Sequence, residues 1–256
     1  MKEETTEQNE YESQAFYVGL DLGQARDYTA VVVLEHVLVK ERALETHERS
    51  GMLEDRDEYH VRHIKRLPLG TSYVDVIAHV KALLIKIEQV GQTGIRPHLV
   101  LDATAVGRPI VDMFRHAGLA PVAVAVHGGL TEHCENEVHR VPKRDLVASA
   151  KVLLGQKQLR IAKEHPDADV LVNELQSYQI KVDISTGHDS YQAWRENAHD
   201  DLLFALCLTC WYADKQKGES VQLIAPRVVG RRQGRFAGLD RMKRTSWRAM
   251  DFSSFR

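Results

Sequence analysis

The feature that most constrains this chain is a pair of apolar runs, Tyr17-Val18-Gly19-Leu20-Asp21-Leu22-Gly23 and Thr29-Ala30-Val31-Val32-Val33-Leu34, parted by a short turn that begins at Gly23. Their β-branched and apolar content predicts two strands joined by a tight connection. One carboxylate, Asp21, sits near the end of the first. A carboxylate among buried apolar residues is costly unless something compensates its charge. Two further acids hold comparable places. Asp102 ends His98-Leu99-Val100-Leu101, and Asp200-Asp201 opens Leu202-Leu203-Phe204-Ala205-Leu206-Cys207-Leu208. Three acids bounding three apolar elements, far apart in sequence, suggest a cluster that holds divalent metal.

Patterning along the chain supplies the rest of the order. Strands are predicted over 16–22, 29–39 and, by alternation, 59–67. A helix over 74–90 carries the stripe Val76, Ile77, Val80, Leu83, Leu84 and Ile87. A strand ends at Asp102, a helix runs from Gly107 through His116, and a short buried strand covers 121–126. Helices follow over 143–154 and 166–178, then a polar hairpin around 186–189 and a last helix over 201–211. Strand–helix–strand succession with short connections indicates a mixed sheet with helices on its faces. Three antiparallel strands followed by parallel strands, flanked by helices, is an α/β arrangement of the ribonuclease H-like kind. In that fold the first acid lies on the first strand, the second ends the fourth, and the last begins a late helix. Asp21, Asp102 and Asp200/Asp201 fill those places.

Composition adds limits. A chain of 256 residues with 43% hydrophobic content can build an ordinary core. A net charge of −2 and a pI near 6.7 do not point to nucleic acid. The distribution of charge says more: residues 1–13 hold five Glu against one Lys, and residues 215–256 hold eleven Lys or Arg against three acids. Residues 1–14 are therefore expected to be a disordered acidic segment, 15–213 a single domain, and 214–256 a basic tail. No signal peptide and no bilayer-length apolar run is read from the sequence, and Cys134, Cys207 and Cys210 do not make a disulfide framework. The expected location is a reducing cytoplasm, with no membrane partner. Cys207-Leu208-Thr209-Cys210 lies inside an apolar helical run and reads as buried helix cysteines rather than zinc ligands.

A few carboxylates suffice to hold two hard divalent cations across a scissile phosphate. Each acid also has a plainer explanation. An Asp at a helix start is commonly an N-cap, which accounts for one of Asp200 and Asp201 but not both. An Asp after a strand is common in turns, so Asp102 alone carries little. Asp21, flanked by Leu20 and Leu22, is the hardest to explain as structural.

Four segments together, Gly19-Leu20-Asp21-Leu22-Gly23-Gln24-Ala25-Arg26-Asp27, Asp102-Ala103-Thr104-Ala105-Val106-Gly107-Arg108-Pro109, Val141-Pro142-Lys143-Arg144-Asp145-Leu146 and His199-Asp200-Asp201-Leu202, resemble the nuclease domain of tailed-phage terminase large subunits. The resemblance covers about residues 16–213. It implies a metal-dependent endonuclease that cuts double-stranded DNA in phage or prophage genome packaging in the bacterial host cytoplasm, with two Mg²⁺ or Mn²⁺ ions. It implies Asp21, Asp102, Asp201 and Asp200 as catalytic and metal-holding residues, Asp21 first. It also implies a separate packaging ATPase, a small terminase subunit or a portal as partners. The chain departs from the family in carrying no G-x-x-x-x-G-K-[ST] loop, the mark of the packaging ATPase, and in having Asp102 where many relatives have Glu.

Several basic residues are candidates for DNA contact. Arg26 follows Asp21 in the turn, and Arg108 stands at a helix N-terminus, where an anion can rest. Lys143 and Arg144 open a helix, where a solvated face is the equal alternative. His199 precedes the acid pair and either orients an acid or is a surface residue. In the tail, Arg231, Arg232 and Arg235 stand near Phe236 and Trp247, a mixture suited to phosphate neutralisation with base stacking, or to docking on a protein. Three other functions fit the same core: an actin-like or sugar-kinase-type ATPase, a Holliday-junction resolvase, and a non-catalytic DNA-packaging accessory protein.

Overall fold

The computed structural model describes residues 8–23, 27–42, 55–91, 95–183, 188–193 and 200–224. The chain opens with three strands in sequence, β1 (Gln8–Asp21), β2 (Ala30–Arg42) and β3 (Arg56–Arg66), paired as an antiparallel meander. After helix α1 (Tyr73–Gly91) comes β4 (His98–Asp102), which lies parallel to β1 on its free side. Helix α2 (Gly107–His116) then leads to β5 (Val122–His127), parallel to β4. A short hairpin, β6 (His133–Glu135) and β7 (Val138–Pro142), extends that edge, and β8 (Leu159–Ile161) extends the other beside β3. The resulting sheet has the order β6-β7-β5-β4-β1-β2-β3-β8. Its central run, β3-β2-β1-β4-β5 with the first three strands antiparallel, is the mixed α/β arrangement expected of a ribonuclease H-like domain.

Both faces of the sheet are covered, which is why its central strands read as nearly continuous apolar runs. The alternation of side chains sorts them between two cores. Phe16, Val18 and Leu20 of β1 pack with Val31, Val33, Leu99 and Leu101 against Val76, Val80, Leu83 and Ile87 of α1 and Ile110 and Phe114 of α2. Tyr17, Ala30, Val32, Leu34 and Val100 face the other way. They meet helix α5 (Asp201–Ile224) and helix α3 (Lys143–Gly155), which contributes Leu146, Val147 and Ala150. Helix α4 (Ala168–Ser177) packs beside α5 and leads into a separate two-stranded pair, β9 (Tyr178–Asp183) and β10 (His188–Ala193). Among the described residues no helix is long and apolar enough to cross a membrane.

The elements differ from the sequence expectation at their margins. β1 begins at Gln8 rather than 16, so residues 8–13, expected to lack structure, pair with β2 ahead of a bulge at Gln14; Glu12 and Lys40 meet there at 2.6 Å. Their high charge hid a strand whose Glu10, Glu12 and Gln14 face solvent. The β6–β7 hairpin turns through Asn136 and Glu137, at φ of 52° and 64°, the two positive values of a type I′ turn. A glycine would mark such a turn in sequence; Glu137 does not, and its strain of about 1 kcal/mol is accompanied by an ion pair with Arg115 at 2.8 Å. Helix α5 runs to Ile224, well past 211, because Lys215, Gln216 and Lys217 are good helix formers, and Lys215 and Lys217 pair with Glu132 and Asp57 outside the helix. The turn of the predicted hairpin at 186–189 falls partly outside the described residues, though β9 and β10 pair on either side of it.

Candidate active site

The period of two in β1 and β4 builds one end of the site. Tyr17, Gly19 and Asp21 share one face of β1, and His98, Val100 and Asp102 share the same face of β4. The register sets Leu20 beside Leu101, so Asp21 and Asp102 emerge next to each other at the C-terminal edge of parallel strands. That edge is where open α/β sheets present their ligands.

Helix α5 completes the arrangement by running back across this face. It can lie close because Gly19 has no side chain: a Cβ there would stand 2.0 Å from the Ala205 carbonyl oxygen and 2.8 Å from Thr209 Cγ2. Asp201 lies one helical turn before Ala205, on the same side of the helix. That turn, about 5.4 Å, nearly matches the two-residue step from Gly19 to Asp21, about 6.6 Å. The close crossing at Gly19 therefore delivers Asp201 to the level of Asp21. At the far end of the crossing, Tyr212 meets Tyr17 edge-on, with ring centres 6.1 Å apart.

The electrostatics follow from this crowding. Burial pushes the Asp21 carboxyl well above its ordinary value, and the charges of Asp102, Asp201, Asp200 and Asp27 push it further in the same direction. Asp102 is raised by burial as well, and is drawn back by hydrogen bonds from Thr104 and by the charge of Lys143. The Thr104 backbone N–H donates to Asp102 Oδ1 at 2.8 Å and the Thr104 hydroxyl donates to the same oxygen. Thr104 Oγ1 in turn accepts from the Val126 N–H at 2.7 Å. Asp102 is thereby tied to β5, one oxygen engaged.

Two residues that were not picked out in the sequence join the acids. Arg66 ends β3 and pairs across the sheet with Ala30, which pairs with Asp21. Arg66, Ala30, Asp21 and Asp102 thus form a row along one sheet edge, beneath the start of α5. The Arg66 guanidinium donates to Glu174 Oε1 at 2.5 Å and stands 3.5 Å from Asp201 Oδ2. Its carbon lies 5.1 Å from the centre of the Tyr28 ring. Glu174 Oε2 accepts the Leu203 N–H at 2.8 Å, so α4 caps one N–H in the first turn of α5. Burial pushes Glu174 up to about 7, against the pull of the Leu203 N–H and Arg66. Glu174 had one signal in sequence: with Ala168 and Leu171 it lies on the buried stripe of α4, where an acid is out of place.

The remaining candidates divide. Lys143, at the start of α3, seats its ammonium 4.6 Å from the centre of the Phe204 ring and 5.7 Å from that of Tyr178, close enough to Asp102 to act on its charge. Asp200 precedes α5, and its carbonyl accepts the Phe204 N–H at 2.9 Å. Arg108 is exposed in the first turn of α2. Arg144 is turned to local partners, with Asp145 at 3.2 Å and the Leu130 carbonyl at 2.7 Å. Arg26, His199, Arg231, Arg232 and Arg235 lie outside the described residues.

The donor set consists of carboxylates, hard oxygen ligands suited to Mg²⁺ or Mn²⁺. Among the described residues no three His, Cys, Asp or Glu side chains stand at metal-holding spacing. The acids are gathered and electrostatically coupled, without being closed to a coordination shell. The donor chemistry fits such an ion: like charges make one another harder to ionise, and a cation relieves that cost.

The fold and this edge of acids define an α/β domain of ribonuclease H-like arrangement. No family model and no curated protein matches the sequence. In structure the chain is similar to the large terminase nuclease from thermophilic phage G20c, with 20% identity and a TM-score of 0.49, over 76% of this chain and 80% of that one. It is also similar to the human cytomegalovirus terminase nuclease domain, with 11% identity and a TM-score of 0.45, over 82% of this chain and 87% of that one. A Mn-soaked form of the latter has 10% identity and a TM-score of 0.43, over 78% and 84% of the two chains.

Proposed function

We propose that this chain is a terminase-like endonuclease that cuts double-stranded DNA during phage genome packaging and depends on Mg²⁺ or Mn²⁺. The observation that carries the reading is the meeting of acids from β1, β4 and α5 around Asp21, whose charge each of the others makes harder to sustain. Acids with strongly perturbed charges, gathered at the end of a sheet's parallel strands, are characteristic of functional sites. Asp21, Asp102 and Asp201 would hold two ions, with Asp200 beside them. When bound, such ions supply Lewis-acid activation of water and of the phosphodiester.

The protein's own groups supply orientation. Lys143 offers a fixed positive charge next to Asp102, where the seat on Phe204 and Tyr178 limits its freedom before a backbone phosphate arrives. Arg108 presents a second anion contact at the α2 N-terminus. Arg26, His199, Arg231, Arg232 and Arg235 belong to the proposal through their sequence positions. Contacts of this kind address phosphates rather than base edges, so cutting with little sequence preference is expected. A packaging motor on another chain is the expected protein partner.

The direct test is incubation with supercoiled plasmid. Nicked and linear products should accumulate with Mn²⁺ or Mg²⁺ and disappear on adding EDTA. Tight ATP binding without any cleavage, or cleavage indifferent to EDTA, would overturn the reading.

The tail gives a separate expected result. Residues 225–256 hold nine Lys or Arg against two acids. Ending the chain after Ile224 leaves α5 whole, and should weaken duplex binding and flatten its dependence on salt. Each phosphate that the shortened chain no longer neutralises takes about 0.9 off the log–log slope. Equal slopes for the full and shortened chains would assign the tail to a protein partner instead.

A further inference from the structure

The neighbours of the α5 carboxylate carry an inference that rests on the metal-dependent reading above. Among the described residues Arg66 is a cation on the Asp201 side of the acid cluster, and it faces two acids. It stands 2.5 Å from Glu174 and 3.5 Å from Asp201, so Glu174 takes the direct contact and Asp201 the looser one. Glu174 has both oxygens committed, one to Arg66 and one to the Leu203 N–H at 2.8 Å. It is thus poorly placed to be a ligand itself. It is well placed to hold a guanidinium back.

We infer that Glu174 and Arg66 are positioning residues: Glu174 takes the closer contact with Arg66, so that the Arg66–Asp201 ion pair stays at its looser 3.5 Å and a divalent cation can displace it. The geometry gives Glu174 two tasks at once. Its Leu203 contact fixes the first turn of α5, and its Arg66 contact keeps the neighbouring guanidinium from closing further on Asp201. Arginine is suited to this, since its planar fork can serve two carboxylates and never loses its charge. The Tyr28 ring, 5.1 Å from the guanidinium carbon, limits where the fork can swing.

The consequence is a sign reversal that a purely structural pair would not produce. Glu174→Gln keeps the length and an acceptor for Leu203 but gives up the charge that holds Arg66. Arg66 then turns to Asp201, and the affinity for Mn²⁺ should fall about tenfold. Adding Arg66→Gln to that variant removes the competitor and should restore Mn²⁺ affinity to within about threefold of wild type. These fold-changes match the size of coupling expected between contacting residues. The measurement is titration of Mn²⁺ alone into the full chain by calorimetry or electron paramagnetic resonance, above the value of about 7 for Glu174. Thermal melts in EDTA confirm that each variant is folded.

A Glu174→Gln affinity equal to wild type, or a double variant no better than the single, overturns the inference. If Glu174→Gln does not fold, Arg66→Gln alone decides: Mn²⁺ should bind at least as tightly as in wild type, and a loss overturns the inference. Failure of both single variants to fold would make the pair structural and overturn it too. Absence of Mn²⁺ binding by wild type would instead bring down the metal-dependent reading itself, which keeps the two failures apart.

Discussion

Asp21→Asn should abolish DNA cleavage and, in the absence of metal, make the protein more stable. The two effects have one cause. The Asp21 carboxylate is half-buried among four other acids, so its charged form is disfavoured in the folded chain. Asparagine keeps the shape and removes the charge that a divalent ion requires. Cleavage should fall by roughly three orders of magnitude or more, the scale on which loss of one essential catalytic group falls. Without metal the variant should therefore melt above wild type at neutral pH.

The pH dependence has a definite sign. A carboxyl whose folded value is raised binds its proton more tightly when folded. Its contribution to stability is therefore full below its ordinary value of 3.8 and is lost as the pH rises through the raised one. The advantage of Asp21→Asn should vanish near pH 4 and grow toward neutrality. Glu174 acts in the same direction between its ordinary 4.5 and about 7. It is present in both proteins and cancels in the comparison. Added Mn²⁺ should reverse the order by stabilising wild type alone, by about 2.7 kcal/mol at a hundred times its dissociation constant. Melts in EDTA and in Mn²⁺ across this pH range check the whole pattern. An Asp21→Asn protein that melts below wild type at neutral pH without metal would make Asp21 a structural acid.

Gly19→Ala should be among the most damaging single-methyl changes in the chain. In an ordinary strand the change gains about 0.5–1 kcal/mol, because alanine loses less freedom on folding. Here the new Cβ would stand 2.0 Å from a backbone oxygen of α5, and nothing flexible is there to yield. The helix must retreat by roughly an ångström to restore an ordinary separation. Overpacking of this kind costs about 1–3 kcal/mol, and a rigid backbone neighbour places it at the upper end, roughly 6–12 °C in melting temperature. The retreat also carries Asp201 away from Asp21, so Mn²⁺ affinity should drop in whatever fraction stays folded. A melting temperature equal to or above wild type would show that α5 does not cross β1 at this point.

Much of this design is local and therefore legible in sequence. The continuous apolar runs of β1 and β4, with Asp21 and Asp102 at their ends, mark both the strands and the edge at which they stop. A period of two fixes which face each acid takes once a strand is assigned. The three-strand opening and the later alternation of helix and strand set the sheet type for the same reason, since short connections leave few topologies open. The start of α5 at Asp201 was legible too, because an acid pair ahead of a long apolar run is a helix beginning. What misled was local as well: the charge of residues 8–14 concealed a strand extension, and Glu137 concealed a type I′ turn that normally advertises itself with glycine.

Arg66 and Glu174 belong to the other category. Nothing near Glu174 in sequence says that it caps a helix that begins at Asp201, or that an arginine from the end of β3 will meet it. Those contacts span separations that only the packing of α4 and α5 over the sheet brings to a few ångströms. The same holds for Lys143 on Phe204 and for the bare backbone of Gly19 against Ala205. Which elements form, and that acids stand at their ends, is written in the order of residues, because backbone propensity and side-chain period act over a few positions. That the acids converge, how much each raises the others, and which partners hold them come from the packed molecule. Charge interaction and close contact depend on distance through space, and that distance is set by the whole fold.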